Sequence, residues 1–345
     1  MNEILGLNQE TINYYKACFD NNGVEKDLPS LKWQFFENNA ENFVDIEFDA
    51  NAKKAAAIYA TFGVKFKIGD KVYLGSQSLD TMTDIDYRGK GLFIKLAKDV
   101  YQKAKDNEVA LVYGFPNGNS IHGFITKLEW KKLDPLPFLI KPLKTKYFTE
   151  RIKFLSFLPN INLSFSTHKT NKKYSIKEEN HFPDNVTALW NKFSKQIQVA
   201  VNRDKAYLDW RYIHKPGGDY TIANCYDAQN NYVGFVIFTV KEKHNGKIGY
   251  LMELMYDLDN PKAGKLLLNY AISKIKNQKA DCILSWNLEH SPNNGVFKKA
   301  FFINMPEKFR PIELHFGVRA FKDDLATIVD NRNNWYISYS DSDTV

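Results

Sequence analysis

The stretch Leu79-Asp80-Thr81-Met82-Thr83-Asp84-Ile85-Asp86-Tyr87-Arg88-Gly89-Lys90-Gly91-Leu92 sets a strand, a tight glycine turn and a helix start in direct succession. Gly89 and Gly91 permit positive φ and let a ligand come close to the backbone. The amides of residues 89–93 then converge at the positive end of the helix that opens with Leu92 and Phe93. Such a convergence is a seat for two linked phosphates. Arg88 and Lys90 add positive charge beside it. The competing reading is a purely structural turn.

The elements that must position this loop recur along the chain. Trp33-Gln34-Phe35-Phe36 resembles Trp210-Arg211-Tyr212-Ile213. Each is followed by a predicted hairpin: 58–68 with 71–80, and 232–243 with 247–253. Each half next shows Asp84-Ile85-Asp86 or Asp257-Leu258-Asp259, a Gly turn and an amphipathic helix. A buried-looking strand follows, 109–115 or 281–286. An Asn-rich turn and a last helix near Phe124 or Phe297 close each half. One offset of 173 residues aligns Asp84 with Asp257, Gly91 with Gly264 and Phe124 with Phe297. The pattern predicts an α/β (α+β) chain of two mixed-sheet halves, residues 1–140 and 181–345, with a connector over 141–180. Pro135, Pro137 and Pro142 are expected to break regular structure between the halves. The aromatic closing run, Trp335 to Asp343, is expected to complete a sheet.

Composition narrows the partners. The net charge is +7, which suits an anionic ligand, but the lysines are scattered rather than gathered into one stripe, which argues against nucleic acid. Three cysteines, widely spaced, give no disulfide framework and point to the cytoplasm. The first residues lack the features of a signal peptide, and no apolar run reaches the roughly 20 residues of a membrane span. No HxxxH or CxxC spacing supports a metal.

The loop, in the context of hairpin, strand, helix, strand and Asn turn, resembles motif A of the GNAT superfamily of N-acyltransferases. Arg88 and Gly91 match its pattern, while Phe93 stands where Gly or Ala is usual. The resemblance implies acyl-coenzyme A as co-substrate, with no metal. Thr81, Met82 and Thr83 would pair with pantetheine, Arg88, Gly89, Lys90, Gly91, Leu92 and Phe93 would seat the pyrophosphate, and Asn117, Asn119 and Ser120 would cap a helix and touch pantetheine. A main-chain amide of the strand would polarise the thioester carbonyl. In the second half Pro261 replaces the Arg and lacks an N–H, so one coenzyme A per chain is expected.

Asp80 lies eight residues before Arg88, and Glu253 eight before Pro261. The family often carries a carboxylate there to take the proton of an attacking amine. A strand-end carboxylate bonded to its neighbours is the plainer alternative. The tyrosine that usually protonates the leaving thiolate is absent: its place holds Ile125 or Thr126, and Glu129-Trp130 replaces the usual Gly-Phe. His122 is nearby and is either that acid or a surface histidine, with water as the other proton source. Arg203, Trp210, Arg211 and Tyr212 combine cations with aromatics, as an acceptor site or as a core Trp with flanking charges.

The segments 84–91, 113–120 and 207–212 and the aromatic tail are further similar to tandem-GNAT bacterial sugar N-acyltransferases. That resemblance implies an acceptor such as a dTDP-linked 3-amino-3,6-dideoxyhexose for surface polysaccharide. It implies small-molecule partners; no membrane insertion and a monomer or homodimer are expected. The rivals are an acyltransferase acting on a peptide or cell-wall precursor amine, and a non-catalytic acyl-CoA sensor.

Overall fold

The computed structural model describes residues 2–38, 40–149, 157, 159–163, 173–310 and 312–342. Two mixed sheets form the frame. In spatial order the first contains Asn2–Gly6, Phe43–Asp49, Lys54–Ile68, Lys71–Thr83, Leu111–Gly114, Gly317–Ala320 and Lys131–Lys132. Val199–Val201 adds to it against Lys54–Ile68. The second contains Ile303–Asn304, Phe138–Pro142, Cys282–Trp286, Gly246–Tyr256, Tyr232–Lys243, Thr221–Asp227 and Tyr174–Glu178. This is the mixed α/β architecture read from the sequence.

Each sheet is built around one hairpin and one parallel pair. Gly69 (φ +57°) turns the Lys54–Ile68 strand back into Lys71–Thr83. The latter then lies parallel to Leu111–Gly114, which requires a crossover, supplied by helix Leu92–Asp106. Leu92, Leu96, Ala97, Val100, Tyr101 and Ala104 are its buried stripe. In the second half, helix Pro261–Asn277 joins Gly246–Tyr256 to its parallel neighbour Cys282–Trp286. Both hairpins carry an irregularity at the same relative place. Leu79 is the extra residue between Ser78 and Asp80, and Met252 is the extra residue between Leu251 and Glu253.

The halves exchange strands. Phe138–Pro142 pairs with Cys282–Trp286 in the second sheet, and Gly317–Ala320 pairs with Leu111–Gly114 in the first. The prolines around residue 140 therefore do not prevent a strand: Pro142 ends it, where a missing N–H is tolerated. The tail also differs from expectation. Trp335 makes only an isolated bridge to Val199, and Tyr339–Asp341 is a 3-10 turn. Its large rings are buried among both halves rather than paired as a strand.

Two contacts fix the seam. Trp33 and Trp210 stack with centroids 4.6 Å apart and planes 12° from parallel. Each indole donates to the other's carbonyl, Trp33 Nε1 to Trp210 O at 2.8 Å and Trp210 Nε1 to Trp33 O at 3.2 Å. The second contact is a charge cluster with Arg203 at its centre. Its Nε donates to Glu253 at 2.7 Å and its Nη2 to Asp341 at 2.7 Å, all three residues being fully enclosed. Tyr336 and Ser338 of the tail also donate to Glu253, at 2.5 and 2.9 Å. Such a cluster is tolerable in a dry interior only because every charge finds a partner.

The indole pair gives a prediction. Trp33→Ala and Trp210→Ala should each lower unfolding free energy by about 3–5 kcal/mol, read from urea denaturation. The double variant should lose measurably less than the sum, because each single change already removes the shared stack.

Candidate functional site

The functional geometry begins where the first sheet divides. Lys71–Thr83 pairs with Leu111–Gly114 only as far as Ser78 opposite Gly114. A Cβ at Gly114 would stand 2.7 Å from Ser78 O, so only glycine allows the strands to meet at this point. Beyond it the strands part, and residues 79–83 keep a main-chain edge facing the gap. The gap opens into a cavity of about 780 Å3. Leu79, Thr81, Met82 and Thr83 line one side, and Phe115, Pro116, Asn117, Asn119 and Ser120 line the other.

The cavity floor is held by a buried chain of hydroxyls. Trp130 Nε1 donates to Tyr101 OH at 2.8 Å, Tyr101 and Tyr59 meet at 2.6 Å, and Tyr59 bonds Ser78 Oγ at 2.9 Å. Burial raises the Tyr59 and Tyr101 hydroxyls well above their ordinary pKa, so both stay neutral. They fix Ser78 and Trp130, which both line the cavity.

The Arg88-Gly89-Lys90-Gly91 loop sits at one end. Gly89 and Gly91 adopt φ of +79° and +72°, and Gly91 precedes helix Leu92–Asp106 directly. Arg88, Gly89, Lys90 and Gly91 are exposed, and a Cβ on either glycine would meet nothing within 4 Å. The helix N-terminus is thus uncovered. The equivalent place in the second half is closed: a Cβ on Gly264 would meet the Tyr256 ring at 2.4 Å. There Asn293 Nδ2 also donates to Leu254 O at 2.7 Å, filling the strand edge beyond the bulge.

Of the residues read as cofactor-binding, Thr81, Met82, Thr83, Arg88, Phe93, Asn117, Asn119 and Ser120 line the cavity together, and Gly89, Lys90, Gly91 and Leu92 lie in the chain between the lining residues Arg88 and Phe93. Asn117 Oδ1 accepts from Asn119 N at 3.0 Å and Ser120 N at 3.2 Å, so it shapes the turn rather than pointing away. Phe93 is accommodated because Gly123 faces it; a Cβ there would lie 2.9 Å from the ring. Gln77, Ser78, Leu79, Trp130 and Leu314 also line the cavity and were not among the sequence candidates. Leu314 lies far along the chain, and only the strand exchange brings it here.

The expected acid–base residues are placed differently. Asp80 points to the opposite face of the sheet, where Lys26 Nζ reaches both of its oxygens at 2.7 Å and Tyr15 OH donates at 2.7 Å. Glu253 does not face an acceptor as expected. It accepts from Arg203, Leu254 N, Tyr336, Ser338 and Ser340, so its lone pairs are fully engaged. His122 is exposed on helix Ile121–Lys127 and is not among the residues lining the cavity.

The expected acceptor set also separates. Arg203 belongs to the buried charge cluster, and the Tyr212 hydroxyl is bonded to Ser340 Oγ. Both serve the core, which corrects their reading as substrate ligands. Trp210 and Arg211 instead line a second, smaller cavity in the seam, with Trp33, Gln34 and Lys215. Gln77 lines both cavities. Among the described residues no cluster suited to a metal ion occurs, and no helix is long and apolar enough to cross a membrane.

Comparison with known proteins gives a partial family match and a likeness of fold. Residues 8–132 match the family model described as an acetyltransferase (GNAT) domain. No curated protein matches the sequence. Among solved structures, N-myristoyltransferase from Saccharomyces cerevisiae with bound myristoyl-CoA superposes with a TM-score of 0.62 at 13% identity, covering 92% of this chain and 82% of that one. A conserved protein of unknown function from Enterococcus faecalis, described as a probable N-acyltransferase, gives 0.61 at 12% identity, covering 93% and 73%. At such identities the likeness is one of fold.

The seam also carries a titratable group with a measurable signature. Burial opposes ionisation of Tyr220, but the charges of Arg211 and Lys215 and their hydrogen bonds at 3.2 and 3.0 Å outweigh it and lower its pKa to about 8. Absorbance at 295 nm should show one tyrosine ionising near pH 8 and none there in Tyr220→Phe. The folded value lies below the ordinary tyrosine value of about 10. The stabilisation from this contact is therefore complete above about pH 10 and is lost as pH falls through 8.

Proposed function

From an acetyltransferase (GNAT) domain over residues 8–132, we propose an N-acyltransferase that draws its acyl group from acyl-coenzyme A. The observation that carries this reading is the open strand edge of residues 79–83 in a cavity that ends at an uncovered helix N-terminus. The cavity volume, about 780 Å3, lies within the roughly 300–1,000 Å3 of small-molecule sites. The yeast N-myristoyltransferase of similar fold holds myristoyl-CoA, which supports an acyl-CoA donor, from acetyl-CoA upward.

Pantetheine lies along residues 79–83 as an added strand, and its pyrophosphate meets the amides of residues 89–93 with Arg88 alongside. The Leu79 bulge turns a main-chain amide out of the ladder toward the thioester carbonyl, where it stabilises the oxyanion. The amine nitrogen attacks that carbon. A C–N bond forms, the C–S bond breaks, and the sulfur leaves with the electron pair and takes a proton from water. The surplus proton on nitrogen passes to solvent. The second half binds no cofactor because Tyr256 and Asn293 occupy the equivalent place.

For the acceptor we propose the amine of a nucleotide-linked amino sugar, such as a dTDP-3-amino-3,6-dideoxyhexose destined for surface polysaccharide. The support is the sequence resemblance at 84–91, 113–120 and 207–212. A thiol-release screen crossing acyl-CoAs with amino sugar nucleotides and peptide amines tests it. Turnover confined to peptides would replace the sugar, and coenzyme A binding without thiol release from any amine would leave a sensor.

Two variants test the site itself. Gly91→Glu should abolish coenzyme A binding in calorimetry while circular dichroism is unchanged, because a carboxylate and a strained φ enter the phosphate seat. Asp80→Asn should leave kcat within a few-fold of the parent with coenzyme A affinity intact, because Lys26 and Tyr15 hold its carboxylate on the other face of the sheet. A fall in kcat of about 10²–10⁴-fold would instead put Asp80 in the proton transfer.

A further inference from the structure

We infer that the smaller cavity in the seam seats the acceptor, and that it selects an amine whose body carries an anionic group, a phosphate or a carboxylate. This rests on the acyltransferase reading and adds the acceptor's charge class and the residues that read it. The cavity holds about 200 Å3, below the size of a typical whole-ligand site, so it receives one end of the molecule.

Helix Leu28–Phe36 presents Ser30, Trp33 and Gln34 to this cavity, the i, i+3, i+4 spacing of one helical face. Trp33 and Trp210 give it aromatic walls. Gln34 Nε2 is buried and has no hydrogen-bond partner among the described residues. A buried donor left in that state is costly, and a ligand oxygen would satisfy it.

Among the described residues, the charge lining the cavity has one sign. Arg211 and Lys215 line it, and among the described lining residues there is no Asp or Glu. Arg211 donates to Tyr220 OH at 3.2 Å, Ser340 O at 3.2 Å and Ser342 O at 2.8 Å. A guanidinium has about five N–H donors. These three bonds hold it in place and leave donors in its fork for an anion. Lys215 Nζ lies 5.7 Å over the Trp33 ring, beside the same wall. The lowered pKa of Tyr220 reports the same positive field. A plain ammonium would be repelled here, whereas an anion is held and places its amine outward.

The outward direction leads to the thioester. Gln77 lines both cavities and is fixed, its Nε2 donating to Asp341 O at 3.0 Å and its Oε1 accepting from Tyr113 OH at 2.8 Å. It lies on the strand that carries the Leu79 bulge, so an acceptor anchored in the seam reaches the divided edge past Gln77.

The test uses the full chain saturated with coenzyme A, so that the phosphate seat of the first cavity is filled. Phenyl phosphate, benzoate and benzyl alcohol are titrated calorimetrically. An anionic probe should bind one-to-one and at least tenfold more tightly than benzyl alcohol. Gln34→Leu and Lys215→Gln should each weaken it about tenfold, with thermal midpoint and coenzyme A affinity unchanged. Preference for phenyl phosphate over benzoate names phosphate as the group, and the reverse names carboxylate. Equal binding of neutral and anionic probes, no binding of either, or affinities unmoved by both variants overturns the inference. Failure of coenzyme A itself to bind would instead overturn the acyltransferase reading, and the two variants would still report on the seam.

Discussion

The first sheet is constrained by a single loss of pairing. Past Gly114 and Ser78, two parallel strands that a helix has brought together part, and one keeps an unsatisfied edge. A free edge of that kind is ready to pair with another extended chain. The bulge at Leu79, the glycine that permits the last close pair, the Asn117 turn and the hydroxyl chain behind Ser78 all serve to hold the gap open at one width. An extended ligand with amide groups along its length is the natural partner for such an edge, and its phosphates fall at the helix N-terminus that begins at Leu92.

The second half shows what happens when the same elements are not kept open. Its bulge at Met252 is present, but Tyr256 packs on Gly264, Asn293 bonds the strand edge, and Glu253 is bound into the cluster around Arg203. The machinery of one half has become the buttress of the other. Exchange of Phe138–Pro142 and Gly317–Ala320 between the sheets, with the reciprocal Trp33–Trp210 contact, makes the seam a continuous core rather than a hinge. That rigidity is what lets two cavities share Gln77 as a common wall.

Local elements were readable because their causes are local. Gly69 between two apolar runs marked a hairpin, the apolar spacing from Leu92 to Ala104 marked a helix, and Gly89 and Gly91 marked a loop able to take positive φ. The residues missed at the first cavity are of two kinds. Gln77 and Ser78 were beside the motif, yet nothing in a strand's sequence tells which residue precedes a bulge. Leu314 belongs to a distant segment, and its place depends on strand exchange, which has no short-range signal.

The amino-acid sequence by itself determined the order of elements and the cationic glycine loop, because backbone conformation and charge there depend on neighbours in the chain. Only the tertiary structure decided which charged groups face a ligand. Asp80, Glu253 and Arg203 each have the chemistry of a site, and each is turned toward an ion partner within the fold. Arg211 and Gln34 lie 177 residues apart, and they line one cavity because the two indoles bring their elements together. A side chain's availability is set by what surrounds it in space, and desolvation makes every buried charge find a partner wherever along the chain that partner lies.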